Sequence, residues 1–353
     1  MPDSAPEPRI VTPWTEPPPR GEAIEVADGV LWARLPLPMA LDHVNIYFLR
    51  EEAGWAMVDT GFDTRLTRDI LDALRQGPLR GDPITRLLCT HHHPDHIGLA
   101  GLLQCEGAEL IMTRTAWILG RMLTLDEEET HPDEAIAFYH KNGMDPEMLE
   151  RRRTERPFNF ADRVAPMPLG YTRIKAGDQI QFGGRAWQIA CGHGHAPEHA
   201  VLYEIDGDDL VLGGDQLLPS ISPNIGVYPT EPEADPVGEW LEACAALAPL
   251  AREAHLVLPG HKLPYRGLPF RMQQLAENHH GALKRLEEHL NVPRIGGDCF
   301  APLFKREVTP EIYGLALVET IAHLNHLWKR GRISRTPRTS DGVYLWQALR
   351  EGT

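Results

Sequence analysis

The sequence has few cysteines, no long apolar run and no surplus of positive charge, and each absence removes a class of protein. Its five cysteines (Cys89, Cys105, Cys191, Cys244 and Cys299) are odd in number, widely scattered and include no C-x-x-C pair. That excludes a disulfide framework and a structural zinc knuckle. No run approaches the ~18 apolar residues of a membrane-spanning helix, so none is expected. The first residues, MPDSAPEPRIVTPWTEPPPRGE, are polar and proline-rich, without the apolar centre of a secretory leader. Segment 1–22 therefore reads as a disordered or extended arm, and the cytoplasm is the expected compartment. The formal net charge of −15 opposes general binding to nucleic acid or to an anionic membrane. A small-molecule substrate and a second copy of the chain remain as expected partners.

What is present is an ordinary globular composition, 42% hydrophobic and 24% charged, which can supply a full core. A length of 353 residues suggests one large domain plus a smaller one. Seventeen histidines, several of them clustered, are a signal of metal binding.

Strand-like runs occur at GVLWARLPLP, HVNIYFLRE and GWAMVDTG, rich in β-branched and aromatic residues at near-hairpin spacing. Residues 64–75 have a helical period, with Leu66, Ile70, Leu71 and Leu74 on one face. The strand ITRLLCT runs into HHHPDHIGLAGLL, helical from Ile97 onward, and AELIMT follows as another strand. This alternation indicates an α/β fold. Residues of about 114–163 are charged and helical in period, with breaks at Pro132, Pro146 and Pro157, and read as a helical insertion. Its Trp117, Phe138, Tyr139 and His140, with Tyr171 and Tyr228, are candidates to cover and shape a site. Strands resume over 171–174, 179–182, 186–190, 200–205 and 209–212, and a helix over about 236–247 precedes the last strand, HLVLPGH. The expected domains are thus the arm 1–22, an α/β domain 23–265 and a C-terminal domain 266–353. The last is mildly basic, with thirteen Lys/Arg against nine Asp/Glu. It ends in an amphipathic helix and two strands around Ser340-Asp341-Gly342, an arrangement similar to a winged helix.

Four strand ends carry the chemistry. Thr90-His91-His92-His93-Pro94-Asp95-His96 follows a buried strand, where period-two alternation lets His91 and His93 point the same way and Asp95-His96 open a helix. Gly192-His193-Gly194-His195-Ala196-Pro197-Glu198-His199 follows WQIA, while Asp215 follows Leu-Val-Leu-Gly-Gly and His261 follows Leu-Val-Leu-Pro-Gly. Any one of these histidines alone would read as a surface residue; four strand ends each terminating in a nitrogen or oxygen donor do not. Imidazoles and carboxylates without thiolate suit zinc foremost, with iron and manganese compatible.

The set THHHPDHIG, GHGHAPEH, GGD and PGH, in this order and spacing, resembles the metallo-β-lactamase superfamily over residues of about 23–264. The resemblance implies an αββα sandwich with two divalent ions at one edge of its sheets. It places His91, His93 and His195 on the first ion, Asp95, His96 and His261 on the second, and Asp215 between them. The family's usual G-H-[ST]-x-G-H fits Gly194 to His199, which makes His195 the ligand and leaves His193 outside the pattern. Ala196 and Glu198 depart from it. Asp59, in V-D-T-G, and His199 would orient ligands from behind. His92 and Cys191 are expected to pack or face solvent.

The resemblance further implies a hydrolase in which a metal-bridging hydroxide attacks the substrate, with Asp95 as the catalytic proton shuttle. True β-lactamases usually carry cysteine or serine at or near the bridging position. Asp215 therefore points to the branch similar to glyoxalase-II-type thioesterases, lactonases and phosphodiesterases, with a small acyl ester, thioester or lactone as the leading substrate. Lys329, Arg330, Arg332, Arg335 and Arg338 support a rival endoribonuclease reading, against the acidic body. A further alternative is an iron-dependent sulfur dioxygenase on the same scaffold.

Overall fold

A computed structural model describes residues 9–304 and 307–349. The chain forms two compact units. The first gathers 1–127, 159–223 and 246–273, and the second gathers 128–158, 224–245 and 274–353, each from separated segments. Residues 1–8 of the expected arm lie outside the described residues. The described remainder of the arm is irregular, with bends and a turn, and is joined to Arg266 by paired backbone hydrogen bonds at Val11, with Trp14 edge-on to Trp32 at 6.3 Å.

The first unit is built on two sheets. One is seven-stranded, in the order β1 (Ile24–Ala27), β2 (Val30–Pro36), β3 (His43–Glu51), β4 (Gly54–Val58), β5 (Ile84–Leu88), β6 (Glu109–Thr113) and β7 (Thr172–Ile174). The other runs β12-β11-β10-β9-β8, from β8 (Gln179–Phe182), β9 (Arg185–Gly192), β10 (His199–Glu204), β11 (Leu210–Gly214) and β12 (Leu256–Pro259). Strands β4 to β7 are mutually parallel, as are β11 and β12.

Alternation along β3 shows how the layers form. Val44, Ile46 and Phe48 join the core under the helices, whereas Tyr47 and Leu49 join Trp187, Ile189, Leu202, Leu212 and Leu258 between the sheets. A central strand buried on both faces has to read as a near-continuous apolar run, and β3 does. Helix Arg65–Gln76 supplies Ile70, Leu71 and Leu74 to the first core and is capped by Thr64, whose hydroxyl accepts from Thr67 N at 3.1 Å. Leu66, expected on this face, is 47% exposed; Thr67, which precedes Ile70, Leu71 and Leu74 at helical spacing, is buried there instead. The helix expected from Ile97 begins earlier, as Pro94–Ile97, and resumes as Ala100–Cys105.

The expected insertion contains helices Arg114–Leu125, Asp133–Lys141 and Pro146–Thr154. In the second unit, helix Tyr313–Lys329 leads into the antiparallel pair β13 (Ile333–Pro337) and β14 (Tyr344–Ala348), turning at Gly342, where φ is +77°. Trp346 is fully buried, and the Arg335 guanidinium lies 3.8 Å above the Trp328 ring and 4.8 Å from Tyr344. No helix among the described residues is long and apolar enough to cross a membrane.

Leu212 fills the layer between the two sheets, so Leu212→Ala should cost about 3 kcal/mol. A lower urea midpoint for the first unfolding transition is the expected reading; an unchanged midpoint would contradict this packing.

Candidate metal centre

The parallel strands deliver their C-terminal ends to one edge, and the polar side chains gather there. Asp59 follows β4, His91 follows β5, Asp215 follows β11 and His261 follows β12. Asp59 adopts φ +58°, a turn conformation uncommon for a residue with a side chain. Its carboxylate accepts from Thr90 N at 2.8 Å, Thr90 Oγ1 at 2.9 Å and His96 Nδ1 at 2.8 Å.

These bonds fix tautomers. The Thr90 hydroxyl donates to Asp59, so its oxygen accepts from His91 Nδ1–H at 3.0 Å. His96 donates Nδ1–H to Asp59, and His261 donates Nδ1–H to the His43 carbonyl at 2.7 Å. In each ring that leaves Nε2 as the atom facing the centre, where a metal ion could take the place of a proton. His199 works in the opposite sense: its Nε2 accepts from Asp215 N at 3.1 Å while its ring stacks on His91 at 4.6 Å. Gly214, at φ +46°, leaves room for this, since a Cβ there would lie 2.5 Å from His199 Cε1.

Three overlapping groups place their donor atoms within 4.8 Å of one another: His91, His93 and His195; His91, His96 and Asp215; and Asp95, His96 and His261. His91 Nε2 and His93 Nδ1 are 2.9 Å apart. The Asp215 carboxylate lies at the centre. Oδ1 is 3.6 Å from His96 Nε2, and Oδ2 is 3.5 Å from His195 Nε2 and 3.2 Å from His261 Nε2. Asp95 Oδ2 is 3.4 Å from His261 Nε2 and 3.5 Å from His96 Nε2.

The electrostatics favour a cation. Burial pushes His91 and His93 well below the ordinary imidazole range, leaving them neutral. Burial acts the same way on His96, but Asp95, Asp215 and Asp59 outweigh it and hold that ring well above its usual value. Burial opposes ionisation of Asp215, yet His261 and His96 hold its carboxyl well below the normal range. His96 Nε2 and Asp215 Oδ1 are buried and lack a hydrogen-bond partner, as befits metal donors. Gly260 keeps the approach open, because a Cβ there would lie 2.2 Å from Asp215 Oδ1. Five imidazoles and two carboxylates with these lone pairs fit zinc, iron or manganese.

The other sequence candidates fall outside this cluster. His92 is buried and parallel to Phe160 at 6.5 Å, and Cys191 is half-buried on β9. His193 Nδ1 accepts from Glu198 N at 3.4 Å. Trp117 stacks on Tyr171 at 4.7 Å, while Phe138 and Tyr139 are buried, with Arg152 4.2 Å over the Tyr139 ring. Thr90 and the His43 carbonyl were not singled out from sequence. Thr90 precedes the histidine run directly, so adjacency was the available signal; a backbone carbonyl leaves none. Glu198, at φ +50°, accepts from Thr115 N at 2.7 Å and so caps helix Arg114–Leu125 beside the His195 loop.

A family model described as Metallo-beta-lactamase superfamily matches residues 39–261, and one described as Metallo-beta-lactamase-like, C-terminal domain, matches 283–349. The chain is 23% identical over 311 residues to the probable metallo-hydrolase YqjP of Bacillus subtilis (strain 168), covering 85% of this chain and 92% of that protein. The crystal structure of a beta-lactamase domain protein from Burkholderia ambifaria superposes with a TM-score of 0.88 at 34% identity, covering 96% of this chain and 98% of that one. The metallo-beta-lactamase family protein TTHA1429 from Thermus thermophilus gives 0.76 at 26% identity, covering 92% and 100%.

Thr90→Val keeps the shape of the side chain but leaves Asp59 and His91 Nδ1–H short of a partner. It should lower stability by about 1–3 kcal/mol in urea unfolding; a neutral substitution would contradict the tautomer assignment.

Proposed function

The chain belongs to the metallo-β-lactamase superfamily, and from that premise we propose that it is a dinuclear metal-dependent hydrolase of a small acyl ester, thioester or lactone. The observation that supports the dinuclear reading is the position of the Asp215 carboxylate between the two donor sets, 3.5 Å from His195 Nε2 of one and 3.6 and 3.2 Å from His96 Nε2 and His261 Nε2 of the other. On this reading His91, His93 and His195 hold one ion, Asp95, His96 and His261 hold the other, and Asp215 bridges them.

Bound there, two divalent ions, zinc foremost, would lower the pKa of water and polarise the substrate oxygen. The residues do the rest. Asp59 and Thr90 hold His96 and His91 in the donor tautomer, and the His43 carbonyl does so for His261. Asp215 stays ionised and buried, fixed at its backbone by His199. Asp95 is the more accessible carboxylate of the ligand pair, its side chain 17% exposed against 8% for Asp215. It is therefore placed to accept a proton from the attacking water and return it to the leaving group.

An uncharged acyl substrate is favoured over RNA by the state of the basic cluster as well as by the net charge. Arg332 pairs with Glu287 at 2.8 Å, Arg335 with Glu233 at 2.6 Å and Arg338 with Asp341 at 2.6 Å. Three cations of the supposed phosphate-binding face are thus already matched by carboxylates, which weakens their field toward a nucleic-acid backbone.

Metal analysis of the purified chain should approach two ions per molecule, and chelation should abolish activity; a single iron without hydrolysis would favour the dioxygenase. A panel of esters, thioesters, lactones, phosphodiesters and single-stranded RNA should show acyl hydrolysis at least as fast as any RNA cleavage. Metal-dependent RNA cleavage lost in Arg332→Glu/Arg335→Glu, with no acyl hydrolysis, would establish the nuclease instead. Asp95→Asn should lower turnover roughly a hundredfold with little loss of stability. Normal turnover at full metal loading would remove Asp95 from the proton path.

A further inference from the structure

Strand β3 is apolar and buried over most of its length, yet it carries polar groups at His43, Asn45 and Tyr47. Period-two alternation places all three on the face shared with Leu49, toward the second sheet. A buried carboxamide in a central strand is costly unless each polar atom is satisfied. Asn45 is 1% exposed, and its side chain is fully used. Oδ1 accepts from Trp32 Nε1 at 2.9 Å and from Arg34 Nε at 3.0 Å. Nδ2 donates to the carbonyls of Pro259 at 2.8 Å and Lys262 at 2.9 Å.

The strand's other polar groups converge on the same turn. Asn45 N donates to the Gly260 carbonyl at 2.7 Å, and Tyr47 OH donates to the Pro259 carbonyl at 2.8 Å. His43 Nε2 accepts from Lys262 N at 2.9 Å, and its own carbonyl accepts from His261 Nδ1. Arg34 Nη2 adds a bond to the Lys262 carbonyl at 2.6 Å. Lys262 sits at φ +70°, a conformation that side chains seldom adopt, so the turn is held from outside and not by its own preference. The turn contains His261 and none of His91, His93 or His195.

We infer that Asn45 is a positioning residue for the second metal position, acting through the 259–262 turn that aims His261. The inference rests on the dinuclear reading above, and it predicts a one-sided effect. Asn45→Asp keeps the acceptor used by Trp32 and Arg34 but replaces the donor to Pro259 and Lys262 with a carboxylate oxygen. Tyr47→Phe removes a single donor and leaves the fold-bearing contacts in place.

The test is a zinc titration of the full-length chain against a chromophoric chelator, with bound zinc counted by native mass spectrometry. In Asn45→Asp one of the two affinities should fall roughly 10–100-fold while the other stays as in wild type. Tyr47→Phe should lower the same affinity by about fivefold, and it carries the test alone should Asn45→Asp fail to fold. Equal weakening of both affinities together with a lower melting temperature would mean a merely structural role and overturn the inference. Two unaltered affinities in both variants would overturn it as well, while leaving the dinuclear reading intact. A wild-type chain that saturates at one zinc would overturn the dinuclear reading and take this inference with it.

Discussion

Everything at the sheet edge depends on giving the buried carboxylates of Asp59 and Asp215 enough polar partners where water is scarce. A buried carboxylate left without partners is costly. Here Asp59 instead accepts a backbone N–H, a hydroxyl and an imidazole N–H, and Asp215 is surrounded by His96, His195 and His261. The imidazoles are in turn fixed by what lies behind them. The site is therefore one coupled polar network, and such networks stabilise only when every member is satisfied.

The scaffold supports this by geometry. Parallel neighbours β4 and β5 in one sheet and β11 and β12 in the other end on the same side, so four chain segments far apart in sequence present their first loop residues together. Ligand sites outside the carboxyl ends of parallel strands follow from such an arrangement. The strands remain free to be apolar, and the chemistry is confined to residues just beyond them.

That separation explains what was legible in the sequence. The donor residues stood out because each follows an apolar run directly, and the histidine run, the G-H-x-x-x-H spacing, Gly-Gly-Asp215 and Pro-Gly-His261 carry their signal locally. The seven residues do come together. The supports were harder to see. Asn45 and Tyr47 look like ordinary interruptions in a strand, and only tertiary structure reveals that they bond a turn more than two hundred residues away. Leu66 misled because apolar identity was followed over position: Thr67, polar but at the helical spacing of Ile70, Leu71 and Leu74, is the residue buried. The interleaved membership of the second unit, which takes 128–158 and 224–245 along with 274–353, is a property of long-range packing that no window of sequence contains.

The chain order of the donors has a consequence for how the protein is made. His91, His93 and His195 have all been synthesised before β11 and β12 exist, whereas Asp215 and His261 come at the ends of those two strands. At translation rates of about 5–20 residues per second, His261 emerges some seconds after His195. During that interval the nascent chain carries His91, His93 and His195 without the Asp215 carboxylate and the His261 imidazole that complete the donor set, so the full set first exists only once both parallel strands of the second sheet have been made.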